Sequence, residues 1–250
     1  MSNLFKYHKT SPEIIRLAVL MYVRFPLSLR NVEDLLHERG IDISHETVRA
    51  WWNKFGPIFA SDIRKKRVAV YANYTHWKWH LDEVFVKING ELHYLWRAVN
   101  QKGEVLETYV TKRRNRQAAL KFLRKIMRRH GPSQTIITEC VACLLYKLRS
   151  YKAAMRQLGN MNNQDTTKHH NNQAENSHQP FRRRERAMNK FRAEKSLQKS
   201  VSIHAQFHNH FNHERHLNRR ENFKKYRDSA LAEWRQMRLR FIPKSSLANY

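Results

Sequence analysis

The dipeptide Asn89-Gly90 lies between two runs of residues that alternate between apolar and polar side chains. Asn-Gly is the strongest short signal for a β-hairpin, because a type I′ turn needs two successive residues at positive φ. The flanking runs, 77–86 and 91–99, are therefore predicted to be antiparallel strands. A second turn at Gly103 leads into a third predicted strand, 105–110. The centre of the chain is thus expected to be a three-stranded antiparallel meander.

A basic amphipathic helix is predicted to follow the meander over residues 115–129, with Phe122 and Ile126 on its apolar side. Gly131-Pro132 breaks this helix. The β-branched run 135–138 is then expected to be a short, buried fourth strand. Three antiparallel strands, a helix, a fourth strand and further helices are the layout of a ribonuclease-H-like domain. We therefore predict an α/β fold, a ribonuclease-H-like mixed sheet with flanking helices.

The residues before this sheet are predicted to form helices. The third predicted helix is expected to end at Gly56-Pro57, and Gly40 falls in the turn before it. Two short helices across a Gly-containing turn are the helix-turn-helix pattern, in which the second helix enters the DNA major groove. The alternative is an ordinary helical hairpin. Serines that can cap a first turn precede the three helical stretches: Ser11, Ser28 and Ser44.

These patterns divide the chain into three predicted parts. They are an all-α helix-turn-helix domain over residues 1–66, a ribonuclease-H-like catalytic domain over 67–240 and a C-terminal tail over 241–250. A basic connector, 61–73, contains the boundary between the first two. The outward side chains of the recognition helix that are predicted to contact DNA are Thr47, Arg49, Asn53 and Lys54.

The net charge of the chain limits the classes of molecule that it is expected to bind. Lys and Arg number 48 against 21 Asp and Glu, a net charge of +27. Because solubility needs only a few net charges, such an excess favours DNA, RNA or an anionic membrane as partner. No apolar run reaches the roughly 18–20 residues of a spanning helix, and the N-terminus lacks a signal-peptide pattern. We expect a nucleic-acid partner, no membrane, and a cytoplasmic, nucleoid-associated location in a bacterium.

Two groups of residues raise the question of zinc. Cys140 and Cys143 have the Cys-x-x-Cys spacing of half a zinc site or of a redox pair, but no second pair accompanies them. They are expected to be two buried thiols in a reducing cytoplasm. The histidines between 204 and 216 include pairs at helical spacing, yet no Cys or acid completes a tetrahedral set. That stretch is predicted to be a polar helix.

Three acids are candidates for a metal site. Asp82 lies inside the first predicted strand, where an acid is costly to bury unless it is paired or bound to metal. Glu83 is expected on the opposite face of that strand. Glu139 directly follows the fourth strand, and Glu175 precedes a basic helical stretch. Converging carboxylates are what two-metal phosphoryl transfer needs. The alternative for each acid is a solvated or salt-bridged carboxylate.

Residues 80–90, His-Leu-Asp-Glu-Val-Phe-Val-Lys-Ile-Asn-Gly, resemble the first catalytic segment of the insertion-sequence-six family of transposases. Residues 171–178, Asn-Asn-Gln-Ala-Glu-Asn-Ser-His, followed by the arginines of 182–186, are similar to the third. The resemblance covers nearly the whole chain. Further similar segments are 94–99, 113–115 and 208–212.

This resemblance implies an Asp-Asp-Glu transposase that binds the terminal inverted repeats of an insertion sequence and catalyses DNA strand cleavage and strand transfer. The implied partners are double-stranded DNA, at the element ends and at the target, and a second copy or more of the chain on DNA. The implied cofactors are two Mg²⁺ or Mn²⁺ ions. The implied catalytic and metal-binding residues are Asp82, Glu139 and Glu175. The expected contacts to the DNA backbone are Arg182, Arg183, Arg184 and Arg186, with Lys87 and Arg97 as further candidates.

The middle acid departs from the family pattern. The family has Thr-Asp where this chain has Thr138-Glu139, and seven extra residues, 140–146, follow. Glutamate is one methylene longer than aspartate, and a working site holds its groups to within about 0.5 Å. One alternative is therefore a catalytically impaired relative that acts only as a DNA-binding protein. Another is a basic protein that binds nucleic acid without regard to sequence, through phosphates alone.

Overall fold

A computed structural model describes residues 4–71, 78–138, 147–159, 164–165, 167, 170–188, 191–213 and 218–237. The N-terminal elements are α1 (Pro12–Arg24), α2 (Leu29–His37) and α3 (His45–Tyr71). The central elements are β1 (Lys78–Ile88), β2 (Glu91–Asn100), β3 (Val105–Thr111), α4 (Arg116–His130) and β4 (Thr135–Thr138). The later elements are α5 (Lys147–Leu158), β5 (Gln164–Asp165), α6 (Asn172–Ala187), α7 (Glu194–Phe211) and α8 (Arg220–Gln236). The predicted order of three strands, a helix and a fourth strand is confirmed.

The strands form one mixed sheet in the order β3-β2-β1-β4-β5. β1 and β2 pair antiparallel, as do β2 and β3, whereas β4 runs parallel to β1. The β1–β2 turn has Asn89 at φ 50° and Gly90 at φ 84°, the backbone that the Asn-Gly signal predicts. The sheet with its flanking helices confirms the predicted α/β, ribonuclease-H-like class, and it places β4 beside β1.

Helices cover both faces of this sheet, and strand alternation decides which side chain meets which helices. Trp79 and Leu81 of β1 pack with α4 and α5. Val86 and Ile88 pack with Phe181 of α6 and the first turns of α7. Even-numbered residues of β1 therefore face α6 and α7, so Asp82 points to that side and Glu83 to the other.

The N-terminal helices begin at the predicted serines. Ser11 Oγ accepts a hydrogen bond from the backbone N–H of Ile14 at 3.4 Å. Ser28 and Asn31 form a reciprocal capping box at the start of α2, and Ser44 Oγ accepts from Thr47 N–H at the start of α3. Gly40, at φ 70°, lies in the connection between α2 and α3. Each cap satisfies backbone donors that the first helical turn leaves free.

The prediction that α3 ends at Gly56-Pro57 is wrong. Pro57 has no N–H, so the carbonyl of Asn53 loses its helical partner. Lys199 Nζ of α7 donates to that carbonyl at 3.2 Å and to Asn53 Oδ1 at 2.9 Å. At Gly56 a Cβ atom would lie 2.7 Å from the Trp52 ring, so glycine there lets the ring pack against the helix. A contact from a distant helix thus satisfies the carbonyl that Pro57 leaves without a helical partner.

The N-terminal helices share one apolar core with the last two helices. Phe207 of α7 and Trp234 of α8 pack with Phe59 of α3, with ring centroids 4.9 Å apart between Phe59 and Trp234 and 5.2 Å between Phe207 and Trp234. α3 also runs past residue 66, where the first domain boundary is predicted. That boundary stays a prediction. No helix in the ranges above combines the length and the apolar character that crossing a bilayer requires.

Helix α7 is buried along most of its length, which corrects the prediction of a polar helix there. Its histidine rings, His204 and His208, stack with centroids 6.0 Å apart. Burial, with the charges of Arg97 and Arg67, lowers the pKa of His208 from 6.5 to about 4. The packing of α7 against the sheet and against α3 therefore keeps these imidazoles neutral at pH 7.

Protonation of His208 is expected to destabilise the fold as the pH falls. The pKa of His208 is lower in the folded chain than in the unfolded chain. Between pH 7 and pH 5, His208 therefore binds a proton in the unfolded chain but stays neutral in the folded chain. His208→Gln should reduce the loss of unfolding free energy over that interval by about 1–2 kcal/mol. Urea unfolding at the two pH values measures it, with exposed His37→Gln as the control. Equal pH dependence in His208→Gln and the unsubstituted chain would contradict this origin.

Candidate active site

Asp82 lies in the middle of β1 and is only 7% exposed, on the face covered by α6. Its Oδ2 is 3.3 Å from Nε2 of His178 on α6. This contact is longer than a normal charge-assisted hydrogen bond of about 2.8 Å, so the interaction between the carboxylate and His178 is weak. A buried acid with so weak a partner retains ligand capacity for a cation.

Helix α6 is fixed over β1 by its first residues. Asn171, at the N-cap of α6, donates through Nδ2 to the carbonyl of Leu81 at 3.0 Å. Glu175 is exposed and lies one helical turn before His178, so the two side chains share a face of the helix. Two of the three predicted catalytic acids, Asp82 and Glu175, are therefore on elements that pack directly together.

The middle predicted acid lies outside the described residues. β4 ends at Thr138, which pairs in register with Leu81, the residue before Asp82. Glu139 and the extra segment 140–146, with Cys140 and Cys143, are among the residues not described. The expected adjacency of β1 and β4 is confirmed by this pairing, whereas the positions of Glu139 and of the two cysteines stay predictions.

Near Asp82, several buried polar atoms have no hydrogen-bond partner among the described residues. They are Nδ1 of His80, Nε of Arg97, Oδ1 of Asn171 and both ring nitrogens of His178, of which Nε2 makes only the 3.3 Å contact with Asp82. Leaving one such group unsatisfied costs about 1–3 kcal/mol. Unpartnered buried groups of this kind are normally explained by water, an ion or a functional role. We call these four residues the polar shell of Asp82.

Arg97 is the most unusual member of the polar shell. It pairs in register with Asp82 across β1 and β2, and it is 1% exposed. Burial lowers its pKa to about 10, so the guanidinium remains charged at neutral pH. Arg97, one of the candidate phosphate contacts, is buried where α6 packs on this face of the sheet, so it does not reach the surface of the described chain. Its positive charge therefore lies in the protein interior, directly across the strand pair from Asp82.

Glu83, the neighbouring acid, lies on the opposite face as strand alternation predicts. Its Oε1 is 2.6 Å from Nε of Arg114, in an ion pair away from α6. Burial, with the charges of Glu83 and Asp82, raises the pKa of Tyr151 on α5 well above its ordinary value. Glu83 is thus committed to a structural ion pair, which separates its role from that of Asp82.

The donors around Asp82 suit a hard divalent cation. Carboxylate and amide oxygens are the ligands that Mg²⁺ prefers. Asn171, which is hydrogen-bonded to the backbone of Leu81 next to Asp82, has an Oδ1 without a partner among the described residues. Within the described ranges, no cluster of three or more His, Cys, Asp or Glu side chains is arranged to hold a metal. Asp82, Glu175 and Asn171 are the described residues that fit such an ion.

The predicted recognition helix presents most of its expected side chains outward. Arg49, Asn53 and Lys54 are exposed, and Thr47 is half-buried beside the N-cap serine. Arg49 forms an ion pair with Glu46 at 2.9 Å. Lys54 Nζ lies 2.9 Å from His8 Nε2, and Asn53 Oδ1 accepts from Lys199 at 2.9 Å. The four side chains therefore lie at the surface of α3 but already have partners within the chain.

The arginines after Glu175 are not equivalent. Arg183 and Arg186 are exposed. Arg182 is partly buried and donates to Glu185 and to the carbonyl of Phe85. Arg184 is buried, with its guanidinium 4.1 Å from the centre of the Tyr22 ring and a hydrogen bond to the carbonyl of Leu27. Arg184 thus joins α6 to the N-terminal helices, whereas Arg183 and Arg186 reach solvent.

A polar cluster on β5 had no sequence signal. Asp165 accepts hydrogen bonds from the backbone N–H and Oγ1 of Thr167 at 2.8 and 2.6 Å, and its Oδ2 is 2.9 Å from Nδ1 of His170. Hydrogen bonds from Thr167 and His170 lower the pKa of Asp165 to about 2. Asp165 pairs in register with Ile137 of β4, and nothing in the spacing of residues 164–170 predicts that short strand.

Comparison with known proteins gives a family match over much of the chain. A family model described as a DDE domain, of the IS240 transposase type, matches residues 76–214, more than half of the chain. A Staphylococcus aureus transposase for insertion sequence-like element IS431mec is 33% identical over 137 residues, 55% of this chain and 59% of the relative. A Staphylococcus aureus transposase for insertion sequence element IS257 in transposon Tn4003 is 32% identical over the same shares.

The match spans 59% of the length of these relatives. Among solved structures, a chain of the simian T-cell lymphotropic virus intasome in complex with PP2A regulatory subunit B56 gamma aligns over 70% of this chain and 62% of its own length. Its sequence identity is 15% and the TM-score is 0.37. The matched family segment contains the whole sheet and the helix that carries Glu175.

Proposed function

This chain belongs to the insertion-sequence-six family of Asp-Asp-Glu transposases, and we propose that it binds the terminal inverted repeats of an insertion sequence and catalyses metal-dependent DNA strand cleavage and strand transfer. The observation that carries the proposal is the weakly held carboxylate of Asp82 within its polar shell. Buried groups left unpartnered in this way are typical of a site that is completed by a ligand.

The catalytic residues in this proposal are Asp82, Glu139 and Glu175. Asp82 and Glu175 supply hard oxygen ligands from β1 and α6. Glu139 is proposed for the middle position; its support is that it follows Thr138, which pairs in register with Leu81, the residue before Asp82. When bound, two Mg²⁺ or Mn²⁺ ions supply the acidity that activates a water or a 3′-hydroxyl and the charge that stabilises the leaving oxygen.

The other residues of the polar shell position these acids. Asn171 holds the start of α6 against the backbone of β1 and so fixes the height of Glu175 over the sheet. His178 limits the rotation of the Asp82 carboxylate by contact with Oδ2. The buried charge of Arg97, directly across from Asp82, offsets the repulsion between carboxylates that converge on one site.

DNA recognition is assigned to two surfaces. Thr47, Arg49, Asn53 and Lys54 of α3 are proposed to read the inverted repeat in the major groove. Arg182, Arg183 and Arg186 of α6 are proposed to contact the backbone near the cleaved bond. A net charge of +27 favours this partner, and the two element ends require at least two copies of the chain on DNA.

The binding half of the proposal is tested by competition. Labelled duplex that carries the inverted repeats flanking the gene should resist competition by the same duplex with scrambled ends, at fixed salt. Phosphate contacts carry no sequence information, so a sequence-neutral basic protein would release both duplexes equally. Equal competition together with a steep salt dependence would reject specific end recognition.

The second candidate function is a DNA-binding relative that no longer cleaves. The observation that favours it is Glu139 followed by the extra residues 140–146. The deciding variant combines Glu139→Asp with deletion of 140–146, and cleavage of inverted-repeat DNA is compared with that of the unaltered chain. We expect activity in both. Activity in the revertant alone would establish the impaired relative instead.

A further inference from the structure

A cavity of about 240 Å³ lies between the end of α1, the middle of α6 and the second half of α7. Its lining includes Arg24 from α1, Arg183 and Arg184 from α6, and His204 and His208 from α7. None of the described side chains that line it is acidic. A cationic cavity that is smaller than the usual pockets for drug-sized ligands, about 300–1,000 Å³, suits a single anionic group with its water.

Two buried nitrogens on lining residues have no hydrogen-bond partner by geometry among the described residues. They are Nη2 of Arg184, whose guanidinium also interacts with the Tyr22 hydroxyl, and Nδ1 of His204, on side chains 3% and 6% exposed. The guanidinium of Arg184 is already oriented by the Tyr22 ring and by the Leu27 carbonyl. A preorganised guanidinium loses little entropy when it binds, and its fork matches the oxygens of a phosphate.

The charge around the cavity is positive and internally uncompensated. Burial, together with the charges of His208, Arg97 and Arg184, lowers the pKa of His204 well below its ordinary value. The His204 ring is therefore neutral at pH 7 and offers one N–H donor. Arg24 and Arg183 complete the lining, and an anion there would relieve the repulsion between the arginines.

We propose that this cavity binds one backbone phosphate of duplex DNA, between the N-terminal helices and the candidate active site. The inference rests on the proposed function and adds to it a fixed contact point for the DNA backbone. The helical rise between Glu175 and Arg183 is about 12 Å, which matches about three to four base pairs of duplex. An anchor at that distance sets the position of the DNA strand relative to Asp82, and it reads no sequence.

Two substitutions distinguish phosphate binding in the cavity from nonspecific attraction by the positive charge of the surface. Arg183→Gln removes one exposed cation from the lining. Asn212→Trp keeps the charge constant, because Asn212 is a neutral, exposed residue that lines the same cavity, and the indole fills the space. The matched control is Arg156→Gln, an exposed arginine on α5 at the other face of the sheet.

Duplex affinity is measured over a salt range from about 50 to 200 mM. Both Arg183→Gln and Asn212→Trp should weaken binding about 5- to 20-fold and reduce the slope of log K against log salt by about 1, whereas Arg156→Gln leaves both unchanged. A loss in Arg183→Gln without a loss in Asn212→Trp would mean that charge alone matters, and it would overturn the cavity site. No effect of either substitution would overturn it as well.

A second arm uses inorganic phosphate in place of DNA, with thermal unfolding of the full chain as the readout. Protection by phosphate that is lost in both variants supports an anion site in the cavity. Such protection without any change in duplex affinity would assign the cavity to free phosphate and overturn the DNA assignment. If the unsubstituted chain binds no duplex, the proposed function fails in the first arm, and the phosphate arm still reports on the cavity separately.

Discussion

Asp82→Asn is expected to slow DNA strand cleavage by at least about 10³-fold while binding to the element ends stays within about twofold. The substitution removes one charge and one hard oxygen ligand with almost no change in volume. A metal-stabilised transition state loses several kcal/mol without such a ligand, and each 1.36 kcal/mol is tenfold in rate. The measurement is single-turnover cleavage of inverted-repeat DNA, with duplex affinity determined in parallel.

The adjacent acid provides the control. Glu83→Gln leaves Arg114, whose side chain is only 12% exposed, without its charge partner, which should destabilise the fold by about 3–5 kcal/mol. The cleavage rate per folded molecule should nevertheless stay close to that of the unsubstituted chain, because Glu83 faces away from α6. If Glu83→Gln abolished cleavage in folded protein while Asp82→Asn did not, the assignment of faces would be wrong.

Phe207→Ala is expected to lower the free energy of unfolding by about 3–5 kcal/mol. Phe207 is fully buried, and its ring packs on Trp234 where α7, α8 and the N-terminal helices meet. For a chain of this size the change corresponds to a fall in Tm of about 6–20 °C. Phe25→Ala, at an aromatic residue that is 44% exposed, is the control and should stay within about 0.5 kcal/mol.

The Phe207 substitution also tests whether the N-terminal helices unfold together with the rest of the chain. A shared core predicts one cooperative transition that moves as a whole. An unchanged Tm in Phe207→Ala, or a transition in which only the N-terminal helices are lost, would contradict the common core formed by α1–α3, α7 and α8.

Features that depend on local backbone chemistry were predictable from the sequence. Asn89-Gly90 specified the hairpin, since only residues that tolerate positive φ fit a type I′ turn. Alternation along β1 then placed Asp82 and Glu83 on opposite faces, as the ion pair of Glu83 with Arg114 confirms. Serine caps gave the starts of α1 and α2 for the same local reason.

Features that depend on distant parts of the chain were not predictable. Where α3 continues through Pro57, the carbonyl of Asn53 accepts a hydrogen bond from the ammonium of Lys199, a residue far away in sequence. The burial of Arg97 follows from the closure of α6 and α7 over one face of the sheet, and alternation alone does not reveal which face is closed. The histidines of α7 looked polar, yet tertiary packing buries that helix and keeps His204 neutral.

The residue pattern already selected Asp82, Glu139 and Glu175 as candidate metal ligands, and the family resemblance added the reaction that they would catalyse. Helix α6, which carries Glu175, does pack against β1. Composition alone favours a nucleic-acid partner but does not indicate which reaction the chain catalyses. The polar shell, by contrast, was invisible in the sequence, because unpartnered buried atoms emerge only from the packing of β2, α6 and β1.

The most direct test is cleavage by the unaltered chain of DNA that carries the inverted repeats flanking its gene, with Mg²⁺ or with EDTA. We predict strand cuts at the element ends that appear with Mg²⁺, are absent with EDTA, and are absent in Asp82→Asn. A preparation that binds those ends and makes no cut in the presence of Mg²⁺ or Mn²⁺ would contradict this prediction.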